Sequence, residues 1–266
     1  MNTSPATRPA TVTIALMYHA LTAAQRPAIG QDPHYSIDSE RFRAQLELLR
    51  QRAGGAISAR DWLGGKTAHS AAIVTFDDGH LSNYTLALPH LLECSACADF
   101  FVNPGRVGEP GFASWAQLGE MAAHGMSIQS HGWNHRYFTA LTPTQLRADL
   151  TRSRQTIEDR LGQPVTLLAP PGGRVPERLP ELALECGYTH VLGSQPGRVD
   201  HIRRPLPRMA ITADLDDATL AGWLDGRGIA RLRLRHATLG FAKQVLGDGR
   251  YERLRGRLLG QERGAG

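Results

Sequence analysis

The stretch VTFDDG, Val74 to Gly79, sets two adjacent carboxylates, Asp77 and Asp78, directly after an apolar, β-branched run and just before a glycine. Val, Thr and Phe suit a pleated, buried chain, and the run is bounded by Asp and Gly, which favour turns. The reading is therefore a buried strand, Ala71–Phe76, that ends in a charged turn. Two neighbouring acids repel each other, so either they are only turn residues or something at the strand end neutralises them.

Other short apolar runs have the same form. Candidate strands are 12–18, 98–103, 126–130, 166–169, 189–193 and 208–212, and longer helical patterns lie between them. In SERFRAQLELLRQRAG, Phe42, Leu46 and Leu49 share one face and a glycine ends the run. Ser114 with Gln117, and Thr142 with Pro143 and Gln145, mark two helix starts at which each cap is followed by a side chain able to bond back. About seven alternations of strand and helix imply a parallel sheet with crossover helices, either open and doubly wound or closed as a barrel. In both architectures chemistry collects at the carboxyl ends of the strands. Here those ends carry His19, Asp77-Asp78-Gly79, Ser130-His131 and Pro170-Pro171-Gly172-Gly173. Residues 22–38 read as one long irregular loop.

At 266 residues the chain can bury one large α/β domain, and 41% hydrophobic with 21% charged residues is ordinary for a globular protein. Three cysteines, Cys94, Cys97 and Cys186, are too few for a disulfide framework, and the Cys94/Cys97 pair lacks the second pair that a structural zinc site needs. The N-terminal stretch lacks a basic start followed by a long apolar core, and no run reaches membrane-spanning length, so the expectation is a cytoplasmic protein. The net charge of +5 is concentrated after Arg227. That segment reads as a helical extension, residues 213–266, with Ile229, Leu232, Leu239, Val245 and Leu246 packed on the body and basic residues in solvent. Its charge also suits a phosphate-bearing substrate or peripheral contact with the inner membrane face; nucleic acid is not expected as a partner.

The segment SHGWNH supplies His131 and His135, four residues apart, which share a face if the chain turns helically after His131. Two imidazoles and a carboxylate make a three-ligand site with positions open to water or substrate. In this reading Asp78 binds the cation and Asp77 stays free to take a proton from water whose pKa the cation lowers to about 7. A proton donor to the leaving group is then required, and His19 and His201 are the candidates.

TFDDG, SHGWNH and LAPPGGR occur in the order and approximate spacing of the first three motifs of the polysaccharide deacetylase family, the NodB homology domain of carbohydrate esterase family 4, and residues 12–212 resemble it. The resemblance implies a distorted (β/α) barrel of about seven parallel strands, a divalent cation, zinc or else cobalt or nickel, and removal of an acetyl group, most often N-acetyl, from a sugar. It implies Asp77 as base and Asp78, His131 and His135 as metal ligands, with Trp133, Pro171, Gly172 and Gly173 placed to contact substrate. Many members have an arginine where this chain has Ala169; Arg174, Arg204 and Arg208 are the alternatives, and Arg208 is preferred because it closes the last strand. The late Leu-x-x-His motif has no counterpart, since His236 lies in a helical pattern. The expected substrate is an N-acetylated sugar, nucleotide- or lipid-linked in a cytoplasmic setting, and the alternative is a degenerate member that binds carbohydrate without turnover.

Overall fold

A computed structural model of the chain describes residues 13–23, 29–66, 71–200 and 205–246. Its strands are β1 (Ala15–Tyr18), β2 (Ala20–Thr22), β3 (Ser36–Asp38), β4 (Ala56–Ile57), β5 (Ala72–Phe76), β6 (Asp99–Val102), β7 (Ser127–Ser130), β8 (Leu167–Leu168), β9 (His190–Val191) and β10 (Met209–Ala210). The helices are α1 (Ser39–Ala53), α2 (Ala59–Leu63), α3 (Leu88–Glu93), α4 (Trp115–Ala123), α5 (Pro143–Leu161), α6 (Leu179–Glu185), α7 (Asp217–Leu224) and α8 (Ile229–Leu246). Seven strands pair in the order β10-β1-β5-β6-β7-β8-β9, all parallel, with β4 beside the first half of β5.

The sheet curls towards its own first edge. A parallel bridge between Leu192 and Leu206, with Gly193 N–H donating to the Leu206 carbonyl at 2.8 Å, ties the end of β9 to the segment that runs into β10. The result is a distorted (β/α) barrel. Each of the seven strands lies inside the run that marks it in the sequence, shortened at the ends. Residues 22–38 are not one irregular loop: β2 and β3 form a parallel pair, Ala20 opposite Ser36 and Thr22 opposite Asp38. Strands of three residues are too short to show an alternation in sequence.

Local signals set the helix bounds. Ser114 and Thr142 form the two capping boxes, and α5 ends at Gly162 in the left-handed region, φ 64°. Asp38 caps α1, whose Phe42, Leu46 and Leu49 are buried, and Gly54 at φ 79° ends it.

Alternation along the strands divides the core in two. Outward side chains, among them Val74, Phe76, Phe100, Ile128 and Leu168, pack against the helices. Tyr18, Phe42, Phe76 and Phe100 form an aromatic pile there, with Phe76 and Phe100 stacked at 5.0 Å. Inward side chains, Ala15, Ile73, Phe101, Leu167, Ala169, Leu192 and Leu206, make an apolar floor inside the barrel. Thr75 and Asp77 share the inward face of β5 with Ile73, so the strand that buries Phe76 outward aims Asp77 into the barrel.

Leu220, Trp223 and Leu224 of α7 and Ile229 of α8 join the outer core, while Arg231, Arg233 and Leu234 are exposed. The side chains of Leu239, Val245 and Leu246, expected to pack, lie outside the described residues, as do His201, Arg204 and residues 247–266.

Asp99, at the start of β6, is fully buried and accepts from the backbone N–H groups of Ala59 and Arg60. Burial pushes its carboxyl up from an ordinary 3.8 to about 6 although these donors favour the anion. The folded chain therefore takes up this proton below about pH 6 and the unfolded chain only below about 3.8. Stability from this group is present at low pH and falls as pH rises from about 4 to 6, by ~3 kcal/mol for a shift of this size. Denaturant titrations at pH 4.5 and 7 should show the natural chain losing stability relative to Asp99→Asn as pH rises; parallel pH profiles for the two proteins would show that Asp99 does not carry the effect.

Candidate active site

Asp78 follows β5 by two residues and adopts φ 76°, a left-handed conformation that costs a non-glycine residue energy. The turn aims its carboxylate across the mouth of the barrel, where Oδ1 lies 3.3 Å from His131 Nε2 and 3.1 Å from His135 Nε2. One ligand-type atom from each of Asp78, His131 and His135 falls within 4.8 Å of the other two, the one such cluster among the described residues.

The expected helical turn after His131 is absent. Gly132 at φ 75° and His135 at φ 60° bend the chain back on itself, and a Cβ at Gly132 would lie 2.8 Å from Phe138. Asn103 Nδ2 donates to the carbonyls of His131 and Gly132 at 2.6 and 3.2 Å, and Trp133 N–H donates to Asp149 Oδ1 at 2.8 Å. Two histidines four residues apart thus converge through a fixed irregular bend.

The donor set fits a divalent cation. His131 Nδ1–H donates to the Ala169 carbonyl at 2.8 Å, which leaves the Nε2 lone pair facing Asp78. Asp78 Oδ1 is buried and makes no hydrogen bond among the described residues, and the two imidazole nitrogens flank it. Two imidazoles and a carboxylate are also the ligand types of open zinc sites.

Asp77 does not belong to that cluster. It is buried and paired in two-pronged fashion with Arg208, Nη1 to Oδ1 at 2.7 Å and Nη2 to Oδ2 at 2.9 Å. Arg208 is itself fully buried; its Nε donates to the Gly193 carbonyl at 2.9 Å and Nη1 reaches Thr75 Oγ1 at 3.1 Å. Burial, the largest single influence, would raise the Asp77 carboxyl, but Arg208 together with His131 and His19 outweighs it and holds Asp77 below the usual carboxylate range. Ala169 follows β8 with no charge to offer, and Arg208, one residue before β10, meets the aspartate in space.

His19, just past β1, is half-buried beside the same groups. Burial lowers its pKa while Asp78 and Asp77 pull it upward. Its ring packs on Tyr35 at 4.6 Å, and Asn83 Nδ2 donates to its carbonyl at 2.8 Å.

The remaining expected contacts lie on the rim. Trp133, between the two histidines, is half-buried, and the Arg152 guanidinium covers its ring at 3.6 Å. Pro171 is buried, while Gly172 and Gly173 are left-handed at 62° and 64°. A Cβ on Gly172 would lie 2.6 Å from the Tyr137 ring and one on Gly173 1.8 Å from Ser194 Oγ, so both glycines are there for close approach. Arg174 stacks on Tyr137 at 4.1 Å.

Sequence reasoning missed His80, which lies 3.4 Å through Nε2 from Asp78 Oδ2, and the carbonyl-holding Asn103. His80 was visible as an imidazole two residues beyond Asp78; Asn103 carries no local signal, because its partner is 28 residues away.

Residues 64–191 match the family described as polysaccharide deacetylase. YxkH of Bacillus subtilis, which carries a provisional polysaccharide deacetylase designation, is 24% identical over 79% of this chain and 75% of its own length. A peptidoglycan-N-acetylglucosamine deacetylase from Bacillus cereus is 30% identical over 46% of this chain and 55% of its own. Among solved structures, the Streptococcus pyogenes deacetylase PplD in complex with acetate superposes with a TM-score of 0.71 at 22% identity, over 81% of this chain and 99% of that one. Residues 64–191 thus match the polysaccharide deacetylase family, and the barrel that carries them has the fold of a solved deacetylase.

Proposed function

We propose that the protein is a divalent-metal-dependent hydrolase that removes an acetyl group, most simply N-acetyl, from a sugar. The observation that carries this reading is the Asp78, His131 and His135 cluster set beside a buried Asp77–Arg208 pair at the mouth of a deacetylase-type barrel. Asp78, His131 and His135 would hold the cation, with zinc first and cobalt or nickel as alternatives. When bound, the cation supplies a Lewis acid that makes water acidic and polarises the acyl oxygen.

Asp77 then takes the proton from the attacking water. Arg208 keeps its carboxylate ionised and fixed in orientation, which suits a base that must be deprotonated before each turnover. His19 delivers a proton to the leaving nitrogen as the amide C–N bond breaks and a C–O bond forms, giving acetate and a free amine. Trp133, Pro171, Gly172 and Gly173 line the approach for the sugar.

The Bacillus cereus relative supports an acetylated amino sugar as the substrate class. Arg152 on Trp133 and Arg174 on Tyr137 support a sugar that carries negative charge, which would include a nucleotide- or lipid-linked one in a cytoplasmic setting. Among the described residues no helix is long and apolar enough to cross a membrane. Peripheral contact through the basic C-terminal segment stays part of the proposal.

A second reading, carbohydrate binding without turnover, is favoured by the surroundings of His19: its partial burial lowers its pKa, which disfavours the protonated form that an acid needs. Elemental mass spectrometry of the purified protein, with His131→Ala alongside, tests the metal. About one zinc-like ion per chain is expected, lost in the variant. Acetate release from N-acetylated oligosaccharides by the loaded protein separates the two readings. Absence of metal after reconstitution would overturn the proposal, and metal binding without single-turnover acetate would select the binding reading.

A further inference from the structure

We infer that His80 is a positioning residue for Asp78: it holds the outer carboxylate oxygen so that the inner one faces the cation site. The inference rests on the metal reading above and adds to it a residue outside the ligand cluster.

The two oxygens of Asp78 face different partners. Oδ1 lies between His131 Nε2 and His135 Nε2, at 3.3 and 3.1 Å, and Oδ2 lies 3.4 Å from His80 Nε2. His80 is excluded from the set of ligand atoms that fall within 4.8 Å of one another, so it acts on the carboxylate from its far side. Its other nitrogen, Nδ1, is buried with no hydrogen-bond partner among the described residues. Nε2 is therefore the ring nitrogen that faces a partner, and an N–H there donates to Asp78.

The ring is held in place by more than its own backbone. Residues 79–81 are zipped to 111–113: Leu81 N–H donates to the Gly111 carbonyl at 2.8 Å, Ala113 N–H to the Gly79 carbonyl at 3.1 Å, and His80 and Phe112 form an antiparallel bridge. The imidazole stacks on the Phe112 ring at 5.2 Å and 24°, and the Arg106 guanidinium lies 3.9 Å from the centre of that ring. Arg106 is in turn 3.6 Å from Glu109. A left-handed Asp78 stores strain that its surroundings must offset, and this buried donor, clamped by a stack, is placed to do so. Outer contacts of this kind set ligand orientation and change metal affinity by ~10–100-fold when removed.

The test separates the donor from the stack. His80→Phe keeps an aromatic ring against Phe112 and removes the N–H; His80→Gln keeps an N–H donor and removes the ring. Zinc affinity is measured on the full-length protein by competition with a chromophoric chelator, and folding of the metal-free chains is checked by thermal melting. The expected result is a loss of ~10–100-fold in zinc affinity for His80→Phe, most of it recovered in His80→Gln. A folded His80→Phe that binds zinc as the natural chain does would overturn the inference and leave the metal reading standing. Should His80→Phe fail to fold, His80→Gln decides alone: zinc binding within a few-fold of the natural chain supports a donor role, and a folded variant with binding lost overturns it. If the natural chain binds no zinc, the metal reading itself fails and the inference with it.

Discussion

Asp77→Asn is expected to lower acetate release by ~10²–10⁴-fold, the range associated with a positioned general base, without loss of bound metal. Metal should be retained because the Asp77 oxygens lie outside the Asp78, His131 and His135 cluster. The substitution also leaves Arg208 buried with no carboxylate opposite, so the melting temperature should fall too. Rates therefore have to be expressed per folded, metal-loaded chain. Acetate release at the natural rate by such a chain would remove Asp77 from the base role.

The second large effect is on stability. Arg208→Met should cost ~3–5 kcal/mol, because it strands the Asp77 carboxylate in the barrel without its partner. It also changes titration. With Arg208 in place, Asp77 ionises more readily in the folded chain than in the unfolded one, so the pair stabilises the fold above the ordinary carboxylate range, and that contribution is lost as pH falls through the depressed folded value. Without Arg208 burial dominates, the Asp77 pKa rises, and the acid limb of the pH–rate profile moves to higher pH. Combining Arg208→Met with Asp77→Asn should restore much of the stability and none of the activity, since a neutral pair leaves no buried charge uncompensated. Additive losses in the double variant, measured by denaturant titration, would show that the two side chains are not coupled.

The division between what was legible in sequence and what was not follows the range of the interactions. Strand positions, the Ser114 and Thr142 caps and the glycine that ends α1 could be read because hydrophobic period and cap chemistry act within a few residues. Asp77, Asp78 and His131 stood out because each follows a strand, and His135 because it lies four residues beyond His131. The preference for Arg208 over Arg174 rested on strand order, and the barrel does bring Arg208 to Asp77 across a separation of 131 residues. The β2–β3 pair escaped because its strands are too short to show a period. The bend at Gly132 and His135 escaped because a four-residue spacing is helical by default, and only Phe138 packing and the Asn103 contacts override it.

That bend limits how the site could be rebuilt elsewhere. Asp78 and His135, two of the three proposed ligands, sit at positive φ, and Gly132 between the two histidines does as well. Grafting a His-x-x-x-His pair onto the regular helix of another scaffold would reproduce the spacing but leave both rings with the wrong approach to the carboxylate. A transplanted site would have to carry the whole bend, with Phe138 beneath Gly132 and Asn103 behind it, so the smallest portable unit is the pair of loops that follow β6 and β7 together with the Asp78 turn.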